Sequence, residues 1–360
     1  MKTIKICLAL FVMLALTNCN PEDQNILPDG NGHGTFDVKF QPDLKNTIYT
    51  SAIFGLAEVE RLTDQAIDFF YIHYRSDKNA EIRITIEESV VNYQTVIVQK
   101  VKQGDNVFSP KLKWKYEDLK RMAQPGYTDI TFVCTDKGGR EIGRKDMKIS
   151  YRAINECVLA AQLDNKTYPL FFLMGSYINE DSPIVDAFLK EVLRYTTLDA
   201  FYGYQGGTPE SVIRQVAAIF LTLRAMGVKY SSITDTSNSN PKVASQYIRF
   251  ADEIMNNTQA NCADGTVFFC SILRKIGIHA VMIFQPGHVY LGYYADRNKK
   301  QLYLLETTMV GTKASFEQAT LTNVKTFNSN FSKYTNDDYF DMYFMIDVDV
   351  IRKVIKPIGR

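Results

Sequence analysis

The sequence has a single tryptophan, no excess of either charge and no metal-binding spacing, and each shortage removes a class of function. Its 41 Lys and Arg stand against 40 Asp and Glu, a net charge of +1. No basic cluster interrupts that balance, so the electrostatic footprint of a nucleic-acid binder is missing. The spacings CxxC, HxxxH and HExxH are absent, so no metal is expected, nor any cofactor. No repeat of fixed period suggests a solenoid or propeller. The apolar run Ile6–Leu16, behind Lys2 and Lys5, is too short for a spanning helix; residues 1–18 read as a secretory signal peptide.

What is present describes a globular protein of more than one domain. A chain of 360 residues, 46% apolar and 22% charged, can build two cores. The segment Leu16–Thr17–Asn18–Cys19 resembles a bacterial lipoprotein lipobox, with Asn18 where Gly, Ala or Ser is usual. Cys19 is then the lipidated N-terminus and membrane anchor, and residues 19–35, rich in Gly, Pro and Asn, are a flexible tether. The expected location is the outer membrane, facing periplasm or cell surface, with secretion the outcome if Cys19 is not lipidated. Glu22 and Asp23 resemble a surface-export signal.

From Phe36 to Arg152 short alternating segments recur: Ala66–Tyr74, Ala80–Ile86, Tyr93–Val101, Tyr127–Thr135 and Asp146–Tyr151. Turn residues separate them, which predicts an all-β sandwich of immunoglobulin-like type. It lacks the cysteine pair with an intervening Trp, and no catalytic constellation falls within it. A second domain of α+β type is expected over 153–360. Its helices start at Ser182–Pro183 and Thr208–Pro209, and a further one covers Gln246–Met255. Arg249 is read as the partner of some nearby acid.

The informative stretch is Gln259–Gly311. Val267, Phe268, Phe269, Cys270, Ile272, Leu273 and Ile276 form an apolar helix with Asn261 as N-cap and Gly277 as its stop. Cys262 therefore sits at the helix N-terminus, whose unpaired N–H groups and positive dipole end favour an anion. Pro286–Gly287 turns into the strand His288–Tyr294. Asp296–Lys300 turns into Leu302–Thr308, so Glu306 falls near His288 or Tyr290 on the same face. That is a nucleophile, a base and an orienting acid in chain order. Cys270 and His279 read as structural. A Cys262–Cys270 disulfide is excluded, since eight helical residues separate the Cα atoms by about 12 Å. Whether Cys134 and Cys157 pair is open.

Cys262 at a helix start, Ile276–Gly277–Ile278 at its end, His288 opening a strand and Glu306–Thr307–Thr308 on the next resemble the transglutaminase-like superfamily of papain-like thiol enzymes. Glu306 stands where that pattern has Asp. The resemblance implies a C-terminal transglutaminase-like (papain-like) α+β fold and a cysteine peptidase or amidase, with acyl transfer as its variant. It also implies an oxyanion donor upstream of the cysteine; Gln246, Gln259 and Tyr230 are candidates beside the Cys262 N–H. The implied partner is a protein, peptide or peptidoglycan-like amide. The alternatives are an inactive scaffold of the same fold binding peptide or glycan, and a purely structural envelope lipoprotein.

Overall fold

Period-two alternation in the N-terminal half produces strands with one face inward. In the computed structural model, whose described residues are 34–63, 69–232, 240–336 and 342–359, Ala80–Ile86 buries Ile82, Ile84 and Ile86 and exposes Arg83. The expected signal peptide, Cys19 and the expected tether as far as residue 33 lie outside the described residues. Contacts divide the chain into two units, and both strands and helices are present in the described residues.

The N-terminal unit carries two main sheets. Thr35–Phe40, Phe70–Ser76 and Gly104–Phe108 form one, antiparallel throughout. The other runs Thr47–Tyr49, Glu141–Arg152, Gly126–Asp136, Ala80–Ile86, Thr95–Val101, antiparallel except where Thr47–Tyr49 joins in parallel. Phe70 of the first sheet meets Phe132 of the second at 5.2 Å between ring centroids, and Phe40 stands edge-on to Phe70 at 5.0 Å. Cys134 and Cys157 are both buried and neither forms a disulfide. Burial pushes the Cys134 thiol up to about 12 and raises that of Cys157 as well.

Two expectations need correcting here. The all-β reading omits a helix at Thr50–Thr63, which follows directly on the short strand Thr47–Tyr49. It is anchored by inward Ile53, Phe54 and Val59 and by the Thr50 hydroxyl, which donates to the Arg152 carbonyl at 2.9 Å. Contacts also carry this unit to Leu170 rather than Arg152. The reason is a hairpin, Glu156–Leu163 with Lys166–Pro169, whose sheet is completed by Val243–Tyr247. The helix expected from Gln246 accordingly begins only at Ala251 and ends at Asn257.

The C-terminal unit is built on a four-stranded antiparallel sheet, in the order Leu302–Leu305, His288–Tyr294, Ala280–Gln285, Phe344–Asp347. Its two central strands are buried on both faces, so they read as apolar runs rather than alternation. On one face Val281, Ile283, Tyr290, Tyr294 and Leu304 pack with Phe327. The helix Cys262–Lys275 also packs on these two central strands, and every residue from Ala263 to Leu273 is buried. Pro183–Tyr195 and Pro209–Ala225 start where expected, each with its Ser182 or Thr208 cap engaged and Pro at the first position. Gly277, at φ +76°, closes the buried helix in the left-handed conformation that glycine tolerates. Among the described residues no helix is long and apolar enough to cross a membrane.

An ionic lattice ties the far end of that helix to the C-terminal segment. Asp349 accepts from Arg274 at 2.6 Å, lies 2.6 Å from His279 Nδ1 and pairs with Lys299 at 2.9 Å. Burial would raise the Asp349 carboxyl, but Lys299 and then His279 hold it below the ordinary carboxylate range. A depressed carboxyl stabilises the fold above its unfolded value of about 3.9, and that contribution disappears as pH falls through the folded value. Asp349→Asn is therefore expected to lower the melting temperature at pH 7 and to leave it unchanged near about pH 2. Thermal melts followed by circular dichroism across that range check this.

Candidate functional site

The site starts from a helix terminus. Asn261 caps the buried helix: its side chain accepts from the Asp264 N–H at 2.8 Å, and Asp264 accepts from the Asn261 N–H at 2.9 Å. This reciprocal box puts Cys262 at the first helical position, half-buried, where N–H groups have no partner within the helix. Asp264 is fully buried and also accepts from the Arg249 N–H at 2.8 Å and its guanidinium at 2.6 Å. Burial pushes the Asp264 carboxyl up, against those hydrogen bonds. Arg249 thus has the acid partner expected of it, and that acid lies in the cap of the cysteine-bearing helix.

The hairpin supplies the other two groups. Its ladder ends at Leu291 opposite Leu305, so Glu306 lies one step beyond and reaches His288 diagonally. His288 Nε2 and Glu306 Oε2 are 2.7 Å apart. The strand expected to continue to Thr308 stops at Leu305, because Glu306 turns back and caps a short 3-10 turn, Thr307–Met309. Its Oε1 accepts from the Thr308 N–H at 3.1 Å and hydroxyl at 2.6 Å, and its Oε2 also accepts from Asn323 Nδ2 at 2.8 Å. Each carboxylate oxygen therefore has two partners. Burial would raise this carboxyl; the bonds from His288 and Thr308, with the imidazole's charge, hold it below its usual range.

The neighbouring Cys262, then Glu306, push His288 up to about 10 against the opposing effect of burial, so the ring carries its proton at neutral pH. The ring also stacks on Tyr290, 5.9 Å away, whose hydroxyl meets that of Tyr334 at 3.3 Å.

The three upstream candidates separate. Lys229–Tyr230 and Gln259–Ala260 form a two-residue parallel pair immediately before Cys262. Tyr230 is half exposed, and its phenol is pushed up by burial and then by the charges of Cys262, Glu306 and Asp264. Gln259 is exposed on the same short pair, and Gln246 lies on the strand Val243–Tyr247. His279 pairs with Asp349 in the ionic lattice, and Cys270 is fully buried with its thiol raised by burial. Among the described residues no group of three or more His, Cys, Asp or Glu could hold a metal ion. Sequence reading had no role for Asn323, Thr308 or Asp264; only the cap spacing Asn261–Asp264 signals any of them.

Such an arrangement can present a sulfur nucleophile beside an imidazole oriented by a fixed carboxylate. Arg249→Met leaves the Asp264 carboxylate buried without its cation, and is expected to cost about 3–5 kcal/mol in urea unfolding. The pH dependence of stability is expected to carry the mark of His288. A group raised above its unfolded value of about 6.5 stabilises fully below that pH, and the contribution is lost as pH rises through about 10. His288→Gln should remove that alkaline decline in stability, measured by denaturant titrations between about pH 6 and 10.

No protein-family model matches the chain, and no curated protein matches it. Among solved structures, red sea bream transglutaminase aligns with 76% of this chain at 11% identity and a TM-score of 0.22, a likeness too faint to carry an argument. The aligned region spans about half of that enzyme, 52% of its length.

Proposed function

We propose that this chain is a thiol acyl-transfer enzyme of the transglutaminase-like type, acting mainly as an amide hydrolase. The observation that carries the reading is the order Cys262, His288, Glu306, with the imidazole 2.7 Å from the carboxylate and its proton affinity raised by the neighbouring sulfur. His288 is the imidazolium at neutral pH, and the Cys262 sulfur reacts as its thiolate. The thiolate attacks an amide carbonyl carbon. The tetrahedral oxyanion is met by the Cys262 N–H and the Tyr230 hydroxyl. His288 gives its proton to the departing amine as the C–N bond breaks, leaving a thioester. Neutral His288 then takes a proton from water, hydroxide adds to the thioester, and the acid leaves as thiolate and imidazolium are restored. An amine in place of water turns hydrolysis into transfer. Glu306 holds the ring orientation and supports its charge throughout.

The substrate class is a protein, peptide or peptidoglycan-like amide. The leader and Cys19 place the enzyme in the cell envelope as a lipoprotein, with the N-terminal unit as an immunoglobulin-like spacer or binding module. These parts rest on residue patterns alone.

Iodoacetamide labelling at pH 7, resolved by cysteine with mass spectrometry, tests the core of the reading. Cys262 is expected to react far faster than Cys134, Cys157 and Cys270, and to slow by about 10²-fold or more in His288→Ala, the scale of a lost acid–base partner. Amide hydrolysis should vanish in Cys262→Ala. Labelling indifferent to His288 would point instead to a fold that binds its ligand without chemistry.

A further inference from the structure

Asn323 opens a short helix, Val324–Ser329, and does not cap it. An asparagine at that position usually accepts from an N–H of its own first turn. Here no such bond forms. The amide reaches Glu306 instead, with Nδ2 2.8 Å from Oε2. An ionised carboxylate only accepts, so the atom facing it is the N–H end of the amide. Asn323 is 6% exposed, and its backbone carbonyl accepts from the Phe327 N–H at 2.8 Å. Phe327 belongs to the core cluster on the sheet, and its ring meets that of Tyr334 at 5.0 Å. Packing therefore fixes the residue that carries the amide.

The bond falls on the oxygen that faces the imidazole. Oε1 is held locally, by the N–H and hydroxyl of Thr308. The Glu306 N–H is held as well, by the Ala319 carbonyl at 2.9 Å. Those bonds fix where the acid sits in its turn, and none of them involves Asn323. Oε2 is the atom 2.7 Å from His288 Nε2, and Asn323 is its other partner. The terminal torsion of a glutamate has a broad energy profile, so a carboxylate tethered on one side can pivot. A second donor on Oε2 removes that freedom. The same segment also backs the imidazole through Tyr334, whose hydroxyl meets that of Tyr290, the ring stacked on His288.

We propose that Asn323 is a positioning residue for His288, acting through Glu306. Its amide keeps Oε2 at the Nε2–H, so the imidazole holds one orientation towards Cys262 while its proton leaves and returns. An apolar side chain of similar size removes a donor from a buried carboxylate and lets that carboxylate settle on Thr308 alone. The inference rests on the reading of Cys262 and His288 as the reacting pair. It adds a support that comes from 17 residues beyond the acid.

The test follows iodoacetamide labelling of Cys262 in the purified chain and in Asn323→Leu, Glu306→Gln and the double variant. Asn323→Leu is expected to slow labelling about ten-fold, the scale of one hydrogen bond to a charged group. In the Glu306→Gln background the same change should cost nothing further, because its effect passes through the carboxylate. The Nε2–H resonance of His288, identified by its loss in His288→Gln, should move upfield in Asn323→Leu as the charge-assisted bond loosens. Circular dichroism checks that each variant is folded. Should Asn323→Leu not fold, Asn323→Asp keeps the shape and sets an acceptor against Oε2, and both readouts should move the same way at about pH 8, where both carboxyls are ionised. Unchanged labelling and an unmoved resonance in a folded variant overturn the role, as does an equal loss in both Glu306 backgrounds. Labelling that ignores His288→Ala overturns the thiol-enzyme reading instead, and the Nε2–H resonance then decides by itself whether Asn323 orients the ring.

Discussion

A carboxylate with no access to water organises the C-terminal unit. Asp264 takes two backbone N–H groups and the Arg249 guanidinium, and completes the cap that Asn261 begins. A buried charge is tolerable only when its partners are all in place, so the pair stabilises by leaving nothing unsatisfied rather than by attraction alone. Because Asp264 is fixed, the helix can start at only one residue, and Cys262 is that residue. The same helix face then packs against Thr307 through Gly265, the one side chain small enough to allow the approach. The position of the sulfur and that of the Glu306 turn are consequently coupled.

Glu306 is the second anchor, and its length has a physical use. The hairpin ladder stops before it, and the acid must reach diagonally towards His288 while its other oxygen folds back to cap Thr307–Met309. The additional methylene of glutamate provides that span. With two partners on each oxygen, the carboxylate has no freedom to rotate away from the imidazole. His288 is held by Glu306 and stacked on Tyr290, and its raised affinity for a proton follows from the neighbouring Cys262 and Glu306 rather than from exposure.

Local chemistry was legible in proportion to how short its range is. The caps at Asn261, Ser182 and Thr208, the stop at Gly277 and the strands Ala80–Ile86 and His288–Tyr294 each depend on a few neighbouring residues, and the structure has them as read. The failures have more than one cause. Thr50–Thr63 is a helix whose Ile53, Phe54 and Val59 have a core to enter. Gln246 and Tyr247, read as the start of a helix, end the strand Val243–Tyr247 because an open sheet edge at Glu156–Leu163 accepts it. Leu302–Thr308 is shortened by a side chain that prefers its own backbone to the next ladder rung.

The sequence by itself determined that a cysteine begins a buried helix and that a histidine and an acid follow on one hairpin, since capping, periodicity and turn chemistry are local and additive. Only the tertiary structure decided that Arg249 neutralises Asp264, that Asn323 holds Glu306, and that Lys229–Tyr230 pairs with the residues just before Cys262 while Gln246 lies on another sheet. Those pairings join segments far apart in the chain. They are set by which surfaces the cores press together, a choice no window of neighbouring residues contains.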